Sequence, residues 1–139
     1  MNRISDNPKN IVAETKINIA LLPAAGVIHG ARACMDGASR YGPYNWRDKE
    51  IALLAYASAA MRHIQSFIDG EDIDPSGCHH LGHAIAGLAI ALDAIESGTA
   101  IDDRPKPGPA PALLRRLSDQ LKQRHASAHG QSQQETNAA

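Results

Sequence analysis

Leu81, Ile85, Leu88, Leu92 and Ile95 recur at alternating steps of four and three residues within HLGHAIAGLAIALDAIESG. That spacing puts all five on one side of an α-helix but on both sides of a strand. It predicts a helix over about Cys78 to Ser97, stopped by Gly98. Leu53, Ala57, Ala60, Ile64 and Phe67 repeat the same spacing and predict another helix from about Lys49 to Asp69, stopped by Gly70. Upstream, Pro23 fits a first helical turn, and Ala24 to Arg40 reads as a third helix carrying Gly26, Gly30 and Gly37. Glycines weaken a helix, but they let a second backbone approach closely. Gly-Pro marks the intervening stretch YGPYNWRDKE as a loop, with Asp48 placed to cap the helix that follows.

The expected fold is all-α: a small bundle of three main helices over residues 16–98. Hydrophobic residues make up 43% of the chain but aromatics only 4%. Alanine and leucine therefore carry the apolar content, which suits close helix packing better than strands. Three helices in some eighty residues make a small core, so dimerisation is expected to complete it. Residues 1–15 are polar and read as a flexible lead-in. Residues 99–139 read as a Pro-rich linker (DDRPKPGPAPA), a short amphipathic helix through Leu113, Leu114, Leu117 and Leu121, and a polar, disordered tail.

A formal charge of −1, from 14 basic and 15 acidic residues, supplies no field that would draw in nucleic acid or an anionic membrane. No run of eighteen apolar residues occurs, and the first residues lack the apolar segment of a secretion signal. Two cysteines, Cys34 and Cys78, are too few for a disulfide framework and suit a reducing compartment. The expectation is a soluble protein of the cytoplasm.

The densest chemistry lies in GEDIDPSGCHHLGHA, residues 70–84. It joins Glu71, Asp72 and Asp74 to His79, His80 and His83 across a Pro-Ser-Gly turn. His80 and His83 stand three apart on one helix, close enough to reach a common site. Glu71 and Asp74 precede them where the chain bends back past the end of the previous helix. Carboxylates with imidazoles suit Mg²⁺, Mn²⁺ or a transition metal, and an all-cysteine zinc site is excluded. Asp72 and His79 are expected to face solvent. A single histidine on an apolar face is usually a satisfied core residue, so the competing view is a hydrogen-bonded network that fixes the turn. His63 lies on a flank of its helix shared with Tyr56 and Ala59, and His80 on a flank shared with Ala84 and Gly87. Both flanks consist largely of small residues, so the two backbones could approach closely or leave room for a ligand.

RYGPYNW is the second feature: Tyr41, Tyr44 and Trp46 stand beside Arg40, Asn45 and Arg47. The plain reading is aromatic residues plugging a small core. The functional one is a loop in which a ring stacks on a nucleobase, Asn45 bonds a base edge and Arg40 meets phosphate. Arg62, next to His63, is a further phosphate contact or an exposed helix charge. No Gly-Lys-Ser/Thr phosphate loop is present.

Taken together, GASRYGPYNW, RHIQSFIDGEDID, SG and HLGHA resemble the phage-associated dATP/dGTP diphosphohydrolase N-terminal domain family. The resemblance runs from about Lys16 to Glu96 and falls on Gly37, Ala38, Tyr41, Gly42, Asn45, Trp46, Arg62, His63, Gly70, Glu71, Asp74, Gly77, His80 and His83. It implies metal-dependent cleavage of dATP or dGTP to monophosphate and pyrophosphate, in a bacterial host's cytoplasm if the source is a phage. It also implies kinship with all-α, Mg²⁺-dependent nucleotide pyrophosphohydrolases, which carry Glu-x-x-Glu on one helix and Glu-x-x-Asp on another. Neither pair stands at the expected places here. On this reading Arg40, Tyr41, Asn45, Trp46 and Arg62 hold the nucleotide. The ion, Mg²⁺ or Mn²⁺, is held by Glu71, Asp74, His80 and His83, with His63 available as well. Glu71 or His63 acts as the base. The alternatives are a helical module that binds nucleotide or metal without chemistry, and a phage structural or interaction protein.

Overall fold

The computed structural model describes Lys9 and residues 15–137, with side chains through residue 127. The lead-in expected over residues 1–15 lies almost wholly outside the described residues. Described residues fall into two compact units that meet between Asp103 and Arg104.

In the first unit a 3₁₀ turn over Ile19–Leu21, capped by the Asn18 side chain, leads into helix α1, Ala24–Tyr41. Helix α2 is a single turn, Asn45–Asp48. Strand β1, Ile51–Ala52, opens directly into helix α3, Leu53–Ile68. Helix α4 covers His80–Ser97, and strand β2, Ala100–Ile101, follows it. The fold is thus mainly helical, with one parallel two-strand pairing of Ile51 to Ala100 and Ala52 to Ile101.

Both long helices end as their glycines predict. Gly70 and Gly98 adopt positive φ, and the amides of Gly70 and Glu71 return to the carbonyls of Phe67 and Ser66. The amides of Gly98 and Thr99 repeat the pattern on Ile95 and Ala94. The start of α3 differs from expectation. Asp48 ends α2 instead of capping α3, and the cap comes from far along the chain: Asp103 Oδ1 accepts from the Leu54 amide at 2.8 Å. Together with the β1–β2 pairing, this bond carries the folded unit past Gly98, where sequence reading ends it, to Asp103.

Helix α4 lies between its partners. Both α1 and α3 pack on it and scarcely touch each other, so the three do not close around a shared core. The contacts use small residues. A methyl group on Gly82 would stand 2.7 Å from the His29 carbonyl oxygen, and one on Gly30 would stand 2.8 Å from Ile85 Cγ2. Among the described residues, apart from Ile51 and Cys78, the buried apolar residues are the alanines 33, 60, 84, 86 and 94, and Cys78 is the largest side chain fully enclosed. The seam that marks the helix in sequence is largely open: Ile85 touches α1 at Gly30, yet Ile85, Leu88, Leu92 and Ile95 keep 42–64% of their surface exposed. The reason is steric. Helices meet most closely where side chains are smallest, which leaves the bulky stripe on the open side.

The second unit contains helix α5, Ala110–Asn137. It includes the predicted leucine stripe, and the helix continues past His125, where sequence reading ends it.

Candidate functional site

The loop between α1 and α3 is fixed by one acid. Gly42 ends α1 with φ +85°, and Tyr44 takes a left-handed conformation (φ 56°) that costs a non-glycine residue about 1–3 kcal/mol. Arg47 stacks over the Tyr44 ring at 5.3 Å. Trp46 Nε1 donates to Asp93 Oδ2 at 2.6 Å. Arg47 donates to the same carboxylate through Nε at 2.8 Å and Nη2 at 2.9 Å. Those bonds, the Arg47 pair first and Trp46 next, hold the Asp93 carboxyl down at about 2. No motif in the sequence singles out Asp93. Its signal is there, though: an acid in the midst of an apolar helix needs a partner.

A cleft of about 350 Å³ opens between α1 and α3 over the surface of α4. Arg40, Tyr41, Asn45 and Trp46 line one part of it, and His63 and His83 also contribute to its wall. Four of the five residues expected to hold nucleotide thus share one cavity with two of the expected imidazoles. The fifth, Arg62, does not line it; exposed on α3, it donates to Ser58 Oγ at 2.9 Å. Arg40 forms an ion pair with Asp36 one turn earlier. A second hollow of about 500 Å³, bounded by Met35, Pro43, Tyr44 and Ala89, shares Trp46 with the cleft but has no histidine.

At the histidine end the turn after α3 is folded tightly on itself. Ile73 bridges His79, Gly77 turns with φ +80°, and the Asp72 carbonyl accepts from the His80 amide. His79 is not turned to solvent as expected. Its ring accepts from the Leu81 amide at 3.1 Å, capping α4, and packs against His29 and Phe67. Asp72 is exposed. Cys78 is buried, its thiol 3.9 Å from the Arg32 carbonyl of α1.

Just inside α4, His80 is 97% buried, and its Nδ1 lies 2.8 Å from Nδ1 of His63. The other His80 nitrogen, Nε2, is 3.2 Å from Glu71 Oε2, yet it makes no aligned hydrogen bond. His83 stacks on His63 with ring centres 4.5 Å apart. Its Nε2 meets Ser76 Oγ at 2.9 Å and Asp74 Oδ1 at 3.6 Å. Burial, with His83 adding to it and Asp74 opposing, holds the His63 imidazole below its ordinary range. Asp74 is held below the usual carboxylate range, mainly by hydrogen bonds from Ser76 and despite burial. One ligand atom from each of His63, Asp74 and His80 falls within 4.8 Å of the other two. Two imidazole nitrogens and a carboxylate oxygen at that spacing could together serve as donors to a divalent cation.

Fold and site define a class: a small helical domain with a histidine and aspartate cluster that could hold a cation, beside a cleft rimmed by aromatic and basic side chains. The chain belongs to the family described as dATP/dGTP diphosphohydrolase, N-terminal, whose model matches residues 6–104. That match stops one residue past the first compact unit. Neither a curated protein nor a solved structure matches the chain. No helix among the described residues is long and apolar enough to cross a membrane.

Proposed function

We propose that the first unit hydrolyses purine deoxynucleoside triphosphates, dATP or dGTP, to monophosphate and pyrophosphate, using a divalent ion. One observation carries this reading beyond the family's name. A single cleft holds the aromatic and basic loop together with His63 and His83, next to a cation-ligand cluster. Tyr41 or Trp46 offers a ring for the base, Asn45 a pair of base-edge bonds, and Arg40 a phosphate contact once it leaves Asp36. His63, Asp74 and His80 would hold the ion, which when bound offsets phosphate charge and acidifies water. Glu71 does not line the cleft, so it serves here by orienting His80. His83, on the cleft wall, takes the proton from the attacking water. The working unit is a homodimer in the cytoplasm, with the open leucine stripe of α4 covered by a second copy.

The test uses full-length protein freed of metal, then supplied with Mg²⁺ or Mn²⁺ and incubated with each of the four deoxynucleoside triphosphates. Monophosphate and pyrophosphate from the purine substrates support the proposal. Unchanged triphosphates under every condition overturn it.

A second reading has its own support. The acids of α1 and α4 nearest the cleft are already engaged, Asp36 by Arg40 and Asp93 by Trp46 and Arg47. A domain whose Asp36 and Asp93 are both held by neighbouring side chains can bind nucleotide without cleaving it. Saturable nucleotide binding with no product would favour that role.

A further inference from the structure

We infer that the cluster selects a first-row transition ion, held through the imidazole nitrogens of His63 and His80, over Mg²⁺. The inference rests on the cluster being the metal site of the proposed hydrolase. Its basis is the close approach of the two rings. Two imidazole nitrogens 2.8 Å apart need either a proton on one of them or a cation shared by both. Nitrogens bound at right angles to one ion, each at about 2.1 Å, stand about 3 Å apart. The rings already occupy nearly that arrangement, and a shared ion asks for a shift of only a few tenths of an ångström.

Donor chemistry points the same way. Mg²⁺ prefers oxygen ligands and gives up water reluctantly, whereas imidazole binds increasingly well from Mn²⁺ through Co²⁺ and Ni²⁺. Two of the three candidate donors are nitrogens.

The surroundings fit ligation as well. His80 is 97% buried, and its Nε2, lacking a hydrogen bond, faces the Glu71 carboxylate 3.2 Å away. A carboxylate behind a histidine fixes the tautomer that leaves the opposite nitrogen free for the metal, and it raises that nitrogen's basicity. Glu71 is therefore a positioning residue for His80, and Asp74 is the carboxylate ligand. The ring of His83 lies flat on His63 and restrains its rotation.

The experiment titrates the metal-free, full-length protein with Co²⁺, Mn²⁺ and Mg²⁺ in the absence of nucleotide. Readouts are the visible absorption of Co²⁺ and the melting temperature. The expected result is a Co²⁺ spectrum of nitrogen ligation, and stabilisation by Co²⁺ and Mn²⁺ at concentrations at least about tenfold below any effect of Mg²⁺. His80→Ala should abolish the spectrum. Because His80 is buried and that variant can fail to fold, His63→Gln provides the same test on a half-buried ring. Glu71→Gln, at an exposed position, should keep the spectrum but weaken Co²⁺ binding by about tenfold.

Stabilisation by Mg²⁺ at or below the Co²⁺ concentration overturns the inference. So does a Co²⁺ spectrum unchanged in folded His63→Gln, or no binding of any of the three ions. Turnover is scored separately. Histidine-bound Co²⁺ without hydrolysis removes the hydrolase and leaves the ion preference, whereas hydrolysis by a protein that binds no Co²⁺ does the reverse.

Discussion

Asp93 accepts three hydrogen bonds from two consecutive loop residues, one from Trp46 and two from Arg47. Its carboxyl sits at about 2 when folded, against 3.8 for an unperturbed aspartate. The unfolded chain therefore takes up the proton first on acidification. The clamp's contribution is complete above about pH 5 and disappears as the pH falls towards 2. Asp93→Asn should lower the melting temperature at neutral pH and flatten its decline between pH 5 and pH 2, roughly the window set by those two values, in a thermal series on both proteins. If Asp93→Asn and the parent lose stability in parallel, the clamp does not couple to that proton. The same variant should weaken nucleotide binding, since Trp46 and Arg47 would no longer be held beside the cleft. Little of this clamp is legible in sequence. The spacing of 46 and 47 residues between Asp93 and its donors belongs to no local pattern, and only the oddity of an acid in an apolar helix hints at it.

At the scale of elements, periodicity places the helices but does not say which of their faces a neighbour covers. The four-three spacing in α3 and α4 is a property of the chain alone, and both helices form close to where it put them. Which side of α4 is buried depends on neighbours. The glycine and alanine flank lets α1 and α3 come near, and the leucine stripe is left outside. Gly82 and Gly37 separate the two roles of glycine. Gly82→Ala would press a methyl group against the His29 carbonyl, a rigid target, and should destabilise by about 1–3 kcal/mol. Gly37→Ala meets nothing within 4 Å and should stabilise α1 by about 0.5–1 kcal/mol. Denaturant midpoints of the two variants should move in opposite directions. The cap on α3 gives a third prediction at this scale. Asp103→Ala leaves the Leu54 amide without its side-chain acceptor and should cost about 0.5–2 kcal/mol, although Asp103 lies at the far edge of the unit.

For the molecule as a whole, the open stripe of Ile85, Leu88, Leu92 and Ile95 matters most. An apolar band of that length seldom stays in water on a monomer. The seam lacks charge and repeats at coiled-coil spacing, so a second copy can meet it with its own. Light scattering should return about twice the 14.8 kDa chain mass. Leu88→Glu together with Leu92→Glu should yield the single chain and a lower melting temperature. A parent protein that already runs at the single-chain mass would refute the dimer.

The alanine interior has a further consequence for how this protein tolerates change. Most domains are fragile to truncation, because shaving a large buried side chain opens a void. Here no leucine or phenylalanine is fully enclosed, and such losses are out of reach across most of the interior. The vulnerability runs in reverse: a scan of every substitution should show a unit indifferent to shrinkage at its centre and intolerant there of a single added carbon.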